Sequence, residues 1–161
     1  MSMPLFSRIV AAVNGSEASI LAAKYAIVLA KTCGCALSAV YVVDTATIEQ
    51  LKQSNILIEE ECQEYTRNLE ENGDNHLSFV EELAGVKGVK IDREMRHGEV
   101  YTQILAVADQ KNADLIILGG WEKDRPPKDV VSHSCREIMA NAKCSVLLAK
   151  EPDIDKIYDS M

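Results

Sequence analysis

Five short apolar runs, each closed by a turn cluster and separated by stretches of helical period, constrain this chain more than any other feature. The first, Ser7 to Val13, is apolar on both alternating faces and ends in Asn14-Gly15-Ser16. Such a run suits a strand covered on both sides of a sheet. Ser16 then predicts an N-cap, with Glu17 well placed against the dipole of the following helix. Ala22, Ala26, Leu29 and Ala30 give that helix a stripe of mostly small residues, and Cys33-Gly34 closes it. The second run, Ala36 to Val43, ends at Asp44. A long polar helix follows, with Ile58, Cys62, Tyr65 and Leu69 on one face and Glu59, Glu60, Glu61 and Glu64 on its solvated side. Asn72-Gly73-Asp74-Asn75 predicts a break or kink before Leu77, Val80, Leu83 and Ala84 resume the pattern. Val89 to Met95 is a weaker strand, Glu99 to Lys111 a helix, and Asp114 to Leu118 the clearest strand. A loop from Gly119 to about Asp129 precedes a last helix near Ser134 to Asn141 and a final strand, Ser145 to Ala149.

Strands alternating with helices predict an α/β domain, a parallel sheet with helices on both faces. In such sheets ligands bind at the carboxyl ends of the strands, near the switch in strand order. The turns to inspect are therefore Asn14, Asp44, His97-Gly98 and the loop after Leu118. A length of 161 residues fits one domain, and no internal repeat or linker divides it. We assign residues 1–150 to that domain and residues 151–161 to a polar, acidic tail expected to be mobile.

Charge narrows the partners. Twenty-five acidic residues against seventeen basic ones leave a formal charge of −8, a sign that opposes a phosphate backbone, so nucleic acid is not expected. No apolar stretch approaches the roughly 18–20 residues that span a bilayer, and no signal-peptide pattern opens the chain. The expectation is a cytoplasmic protein without a membrane partner. Cys33, Cys35, Cys62, Cys135 and Cys144 lack zinc-site spacing and are expected to be reduced thiols. Ser132-His133-Ser134 does not make a nucleophile and base that face each other, and no nucleophile elbow is present. Of His76, His97 and His133, only His97 falls on the expected ligand rim.

The turns carry a resemblance. Ile9-Val10-Ala11-Ala12-Val13-Asn14-Gly15-Ser16 resembles the opening I-L-V-A-V-D-G-S of the universal stress protein family, with Asn14 in place of its acid. Val42-Val43-Asp44 resembles the family's strand ending V-V-D. Gly98 to Ile104 is similar to its G-x-P-x-x-x-I without the proline, and Ala113 to Gly119 matches A-D-L-I-I-x-G throughout. Together these landmarks cover roughly Phe6 to Lys150. The resemblance implies one doubly wound domain of the adenine-nucleotide alpha-hydrolase type, its five parallel strands in the order 3-2-1-4-5. It also implies a homodimer formed through the last strand, Ser145 to Ala149.

ATP-binding members of that family carry G-x-x-G, nine residues, then G-[ST]. Glycines let backbone approach a polyphosphate, and the last pair opens a helix whose free N–H groups receive it. In this chain Gly119 keeps the first position, Glu122 takes the second, and Ser132-His133 takes the final pair, followed by Ser134. Asn14 would stand beside the nucleoside and Val42 beside adenine. A carboxylate where phosphate should approach opposes binding through like charge. The expectation is thus a regulatory stress-response protein that is not an enzyme, lacks tight ATP binding, and acts through a protein partner that the sequence does not identify. The alternative is an ATP- or AMP-binding member, a slow ATPase, with a phosphate site rebuilt around Ser132, His133 and Ser134. Trp121, Pro126 and Pro127 lie in the same loop, with no role assigned from sequence.

Overall fold

A computed structural model describes residues 3–119 and 132–161. The strands are β1 (Arg8–Ala12), β2 (Ala36–Val43), β3 (Ile91–His97), β4 (Leu115–Leu118) and β5 (Ser145–Leu148). The helices are α1 (Glu17–Cys33), α2 (Thr45–Gln53), α3 (Glu59–Val86), α4 (Val100–Gln110), α5 (His133–Asn141) and α6 (Ile154–Asp159). The strands form one sheet in the order β3-β2-β1-β4-β5, and every neighbouring pair is parallel. The fold class and strand order expected from the sequence are those observed.

Side-chain alternation divides the core in two. Ile9, Ala11, Val13, Leu37, Ala39, Tyr41, Leu115 and Ile117 point to the face covered by α1, α3 and the buried Tyr158 of α6. Val10, Val40, Ile116 and Leu118 point to the other face, where they meet Ile104, Val107 and Ala108 of α4 and Cys135 and Ile138 of α5. Because both faces are covered, both sets of positions must be apolar, which is why β1, β2 and β4 read as continuous runs. Ala22, Ala23, Ala26 and Ala30 are all buried, so the small-residue stripe lets α1 lie close on the sheet. Ser16 caps α1 by accepting the Ser19 N–H at 3.1 Å, and Gly34 ends it in the left-handed region at φ 69°.

Two expectations are corrected. First, α3 runs unbroken from Glu59 to Val86 through Asn72-Gly73-Asp74-Asn75. Gly73 is buried against the sheet, and a Cβ there would collide with the Tyr41 ring. Seating that aromatic ring outweighs the roughly 1 kcal/mol helix penalty of one glycine. The same helix leaves Ile58 and Tyr65 exposed while burying Cys62, so the four residues expected to share one face straddle its shoulder. Second, the acidic tail is not loose. Ile154 and Tyr158 are buried against α1 and α3, and the Tyr158 hydroxyl donates to the Leu83 carbonyl at 2.6 Å. Lys24 and Lys87 flank the Tyr158 ring at 5.3 and 4.7 Å, and Lys24 pairs with Asp155 at 2.6 Å. Two apolar side chains four residues apart make a helical face that average composition conceals.

Among the described residues no helix is long and apolar enough to cross a membrane. All five cysteines are free thiols, and among the described residues no three of His, Cys, Asp and Glu gather to hold a metal ion.

Candidate functional site

The chain leaves β1 toward β2 on one side and reaches β4 on the other, so the carboxyl ends of β1 and β4 flank the switch in strand order. Parallel pairing brings the turns after every strand to one edge of the sheet. Asn14, Asp44, Gly98, Gly119 and the start of α5 therefore share that edge.

The turn after β1 satisfies itself. Asn14 Oδ1 accepts the Ser16 N–H at 2.9 Å, and the Asn14 N–H donates to Ser19 Oγ at 3.2 Å. Ser19 Oγ in turn donates to the Ser16 carbonyl at 3.1 Å. Gly15 sits at φ 81°, a conformation that favours glycine. A side chain there would also meet the His76 ring, which stacks on Tyr41 at 6.2 Å between centroids. His76 thus props the turn from the α3 side of the sheet.

Val42 is half-buried on the opposite face, among the residues packed with α4 and α5. Asp44 caps α2, accepting the Thr47 N–H at 3.1 Å and the Thr47 hydroxyl at 2.7 Å. Gly119 is held tightly, because a Cβ there would run into the Ala18 carbonyl at the start of α1. Its missing side chain is thus required by helix packing, whatever else it admits. Beside this contact, a cavity of about 430 Å³ opens between α1 and the chain after β5, lined by Ala18, Leu21, Tyr25, Ala149 and Ile154 among others.

At α5, Ser132 is the N-cap: its hydroxyl accepts the Cys135 N–H at 3.2 Å. His133 opens the helix and lies edge-on to Tyr101 of α4, with centroids 5.9 Å apart and planes at 85°. Hydrogen bonding to Glu99 holds the Tyr101 phenol above its ordinary range. Ser134 is half-buried in the first turn. Glu122, Trp121, Pro126 and Pro127 lie outside the described residues. His97, the histidine placed on the rim by sequence, pairs with Glu70 of α3 at 3.3 Å.

Sequence reasoning missed His76 and Tyr101. Each acts through a partner far away in the chain, Gly15 and His133 respectively, and no local pattern announces such a contact.

Comparison with known proteins identifies what these turns belong to. Residues 5–150 match the model of the universal stress protein family. A curated universal stress protein of Methanocaldococcus jannaschii is 33% identical over 148 residues, covering 92% of this chain and 84% of that protein. A solved family protein from Burkholderia pseudomallei superposes with a TM-score of 0.71 at 22% identity, covering 93% of this chain and 100% of that one. The universal stress protein from Archaeoglobus fulgidus in complex with dAMP superposes with a TM-score of 0.59 at 16% identity, covering 92% and 100%. At such identities the solved structures share the fold alone; the family match and the archaeal relative go further. With the family model matching residues 5–150 and the archaeal relative 33% identical over most of both chains, this chain belongs to the universal stress protein family.

Proposed function

We propose that the protein is a regulatory member of its family, cytoplasmic and without catalytic activity, that binds ATP weakly or not at all and works as a homodimer joined through β5. One observation carries the nucleotide part of this reading: the α5 end of the family's phosphate motif is already committed. The Ser132 hydroxyl is spent on the Cys135 N–H, and His133, in place of a hydroxyl residue, packs against Tyr101. Asn14 Oδ1 is likewise engaged with the Ser16 N–H. A nucleotide would have to break or share these bonds, and each bond given up costs about 1 kcal/mol. The β5 reading rests on the uncharged sequence of that edge strand, Ser145-Val146-Leu147-Leu148.

A second reading is adenine mononucleotide binding, which needs fewer phosphate contacts than ATP. The dAMP complex of the Archaeoglobus fulgidus neighbour favours it. Denaturing the purified protein and assaying the supernatant for ATP and AMP, followed by calorimetric titration with each, separates the two. Neither nucleotide co-purifying, and no heat with micromolar ATP, is the expected result. Stoichiometric ATP would overturn the first reading, and AMP alone would establish the second. Changing Glu122 and Ser132 to Gly and His133 to Ser should create ATP affinity; if it stays absent, other residues block the site.

A further inference from the structure

The long helix α3 carries an unpartnered apolar stripe along its outer shoulder. Ile58, Tyr65, Phe79 and Val86 are 61%, 54%, 44% and 73% exposed. They follow one another at multiples of seven residues, and Asn72 occupies the one intervening position. Seven residues make almost two helical turns, so the five side chains form a row about 42 Å long that drifts about 20° per heptad around the helix, the drift a partner helix follows by supercoiling. Just inside this row, Leu69 and Leu83 are half-buried against the core, with the half-buried His76 between them. A row of large apolar side chains at constant heptad spacing is how one helix recognises another.

Charge says what kind of helix. The segment Glu59–Val86 holds nine acidic residues and one arginine. Lys52 neutralises Glu59, His97 meets Glu70, and Arg93 pairs with Asp74. Those pairs all lie toward the body of the protein. Glu64, Glu71 and Glu82 are exposed on the solvent flank of the stripe, and none has an ion-pair partner among the described residues. A second copy of this chain fits the apolar row well, because it reads similarly in both directions about Asn72. Two-fold symmetry, however, would lay the acidic flank of one α3 along the acidic flank of the other. Like charges so placed are repulsive. A helix with lysines or arginines beside its own apolar seam satisfies both features.

We propose that the outer shoulder of α3 is a docking surface for a basic amphipathic helix of another protein, with Asn72 fixing the register. A single polar residue within an apolar seam favours the alignment that gives it a polar partner, at some cost in affinity. This surface is independent of nucleotide binding and of the β5 edge.

The test uses a fluorescent 28-residue peptide with leucine at the two seam positions of each heptad, one asparagine at the centre, and lysine flanking the seam. Anisotropy with the full-length protein should report saturable binding that weakens with salt. The combined Tyr65→Glu and Phe79→Glu substitutions should weaken it about tenfold or more, since the two aromatics are the central anchors. Circular dichroism checks that this variant keeps its helices, which exposed positions should allow. Independently of any variant, the peptide should slow amide exchange across residues 59–86. A peptide of the same composition in scrambled order should bind at least about tenfold more weakly. Equal binding of the scrambled peptide, or of the double variant, would reduce the interaction to bare charge attraction and overturn the proposal. It would fail equally if the same double substitution dissociated an oligomer, making a second copy the occupant. Binding of the protein to phosphatidylcholine vesicles in preference to the peptide would assign the stripe to a lipid surface instead.

Discussion

The two edges of the sheet solve the same problem in opposite ways. At one edge, β3 has the sequence Ile91-Asp92-Arg93-Glu94-Met95-Arg96-His97, and most of its side chains are charged. Arg93 reaches Asp74 at 2.6 Å and Ser78 at 3.0 Å on α3, while Arg96 donates to Gln110 at 2.7 Å on α4. Lys111 approaches Glu94 at 3.2 Å and Asp92 at 3.7 Å. Another strand adding to this edge would have to pass a lattice of charges. At the other edge, β5 reads Ser145-Val146-Leu147-Leu148, short and uncharged. The contrast teaches that one edge is guarded by charged side chains while the other carries no charge, which is the difference the proposed homodimer would use.

The largest effect should come from making the second edge resemble the first. Val146→Lys, or the exposed Ser145→Lys, should weaken the proposed homodimer about a hundredfold, near 2.7 kcal/mol, as read by sedimentation at several concentrations. A dimer that survives both substitutions would place its interface elsewhere. On the β3 side, Gly73→Ala forces a Cβ into the Tyr41 ring. It should destabilise the fold by about 1–2 kcal/mol in urea denaturation, although alanine is the better helix former.

Tyr158→Phe, in the segment following β5, removes only the hydroxyl that donates to Leu83. It should cost about 1 kcal/mol and raise proteolytic nicking of residues 151–161. Arg93→Ala should cost the least, about 0.5 kcal/mol, because its ion pair is partly solvated. Its consequence should appear instead as association at high protein concentration. If Arg93→Ala stays monodisperse while the β5 variants also change nothing, charge is not what distinguishes the edges.

What the sequence made legible follows from range. Strands β1, β2 and β4 could be read because burial on both faces leaves almost no polar position within them. The rim could be located because a parallel sheet gathers all strand ends, so Asn14 and Gly119 needed only their order in the chain. Helix α3 was misjudged at Gly73 because local propensity sees a weak helix former. The compensating Tyr41 ring belongs to a strand far earlier in the sequence. The tail was misjudged because its charge outweighs Ile154 and Tyr158 in any average, whereas docking counts only those two. At the site, the substitutions at Asn14, Ser132 and His133 were visible, but their engagement was not. Whether the Ser132 hydroxyl faces a ligand or its own helix depends on backbone geometry.

The two glycine notches have a mechanical consequence. His76 fits the hollow at Gly15, and Tyr41 fits the hollow at Gly73, three residues away on the same helix. One projection comes from the helix and the other from the sheet, so the pair works like a tongue and groove cut in both directions. Sliding α3 along its axis by a single residue, roughly 1.5 Å, would unseat both rings together. The helix is thus keyed in register to the turn after β1 and to the middle of β2.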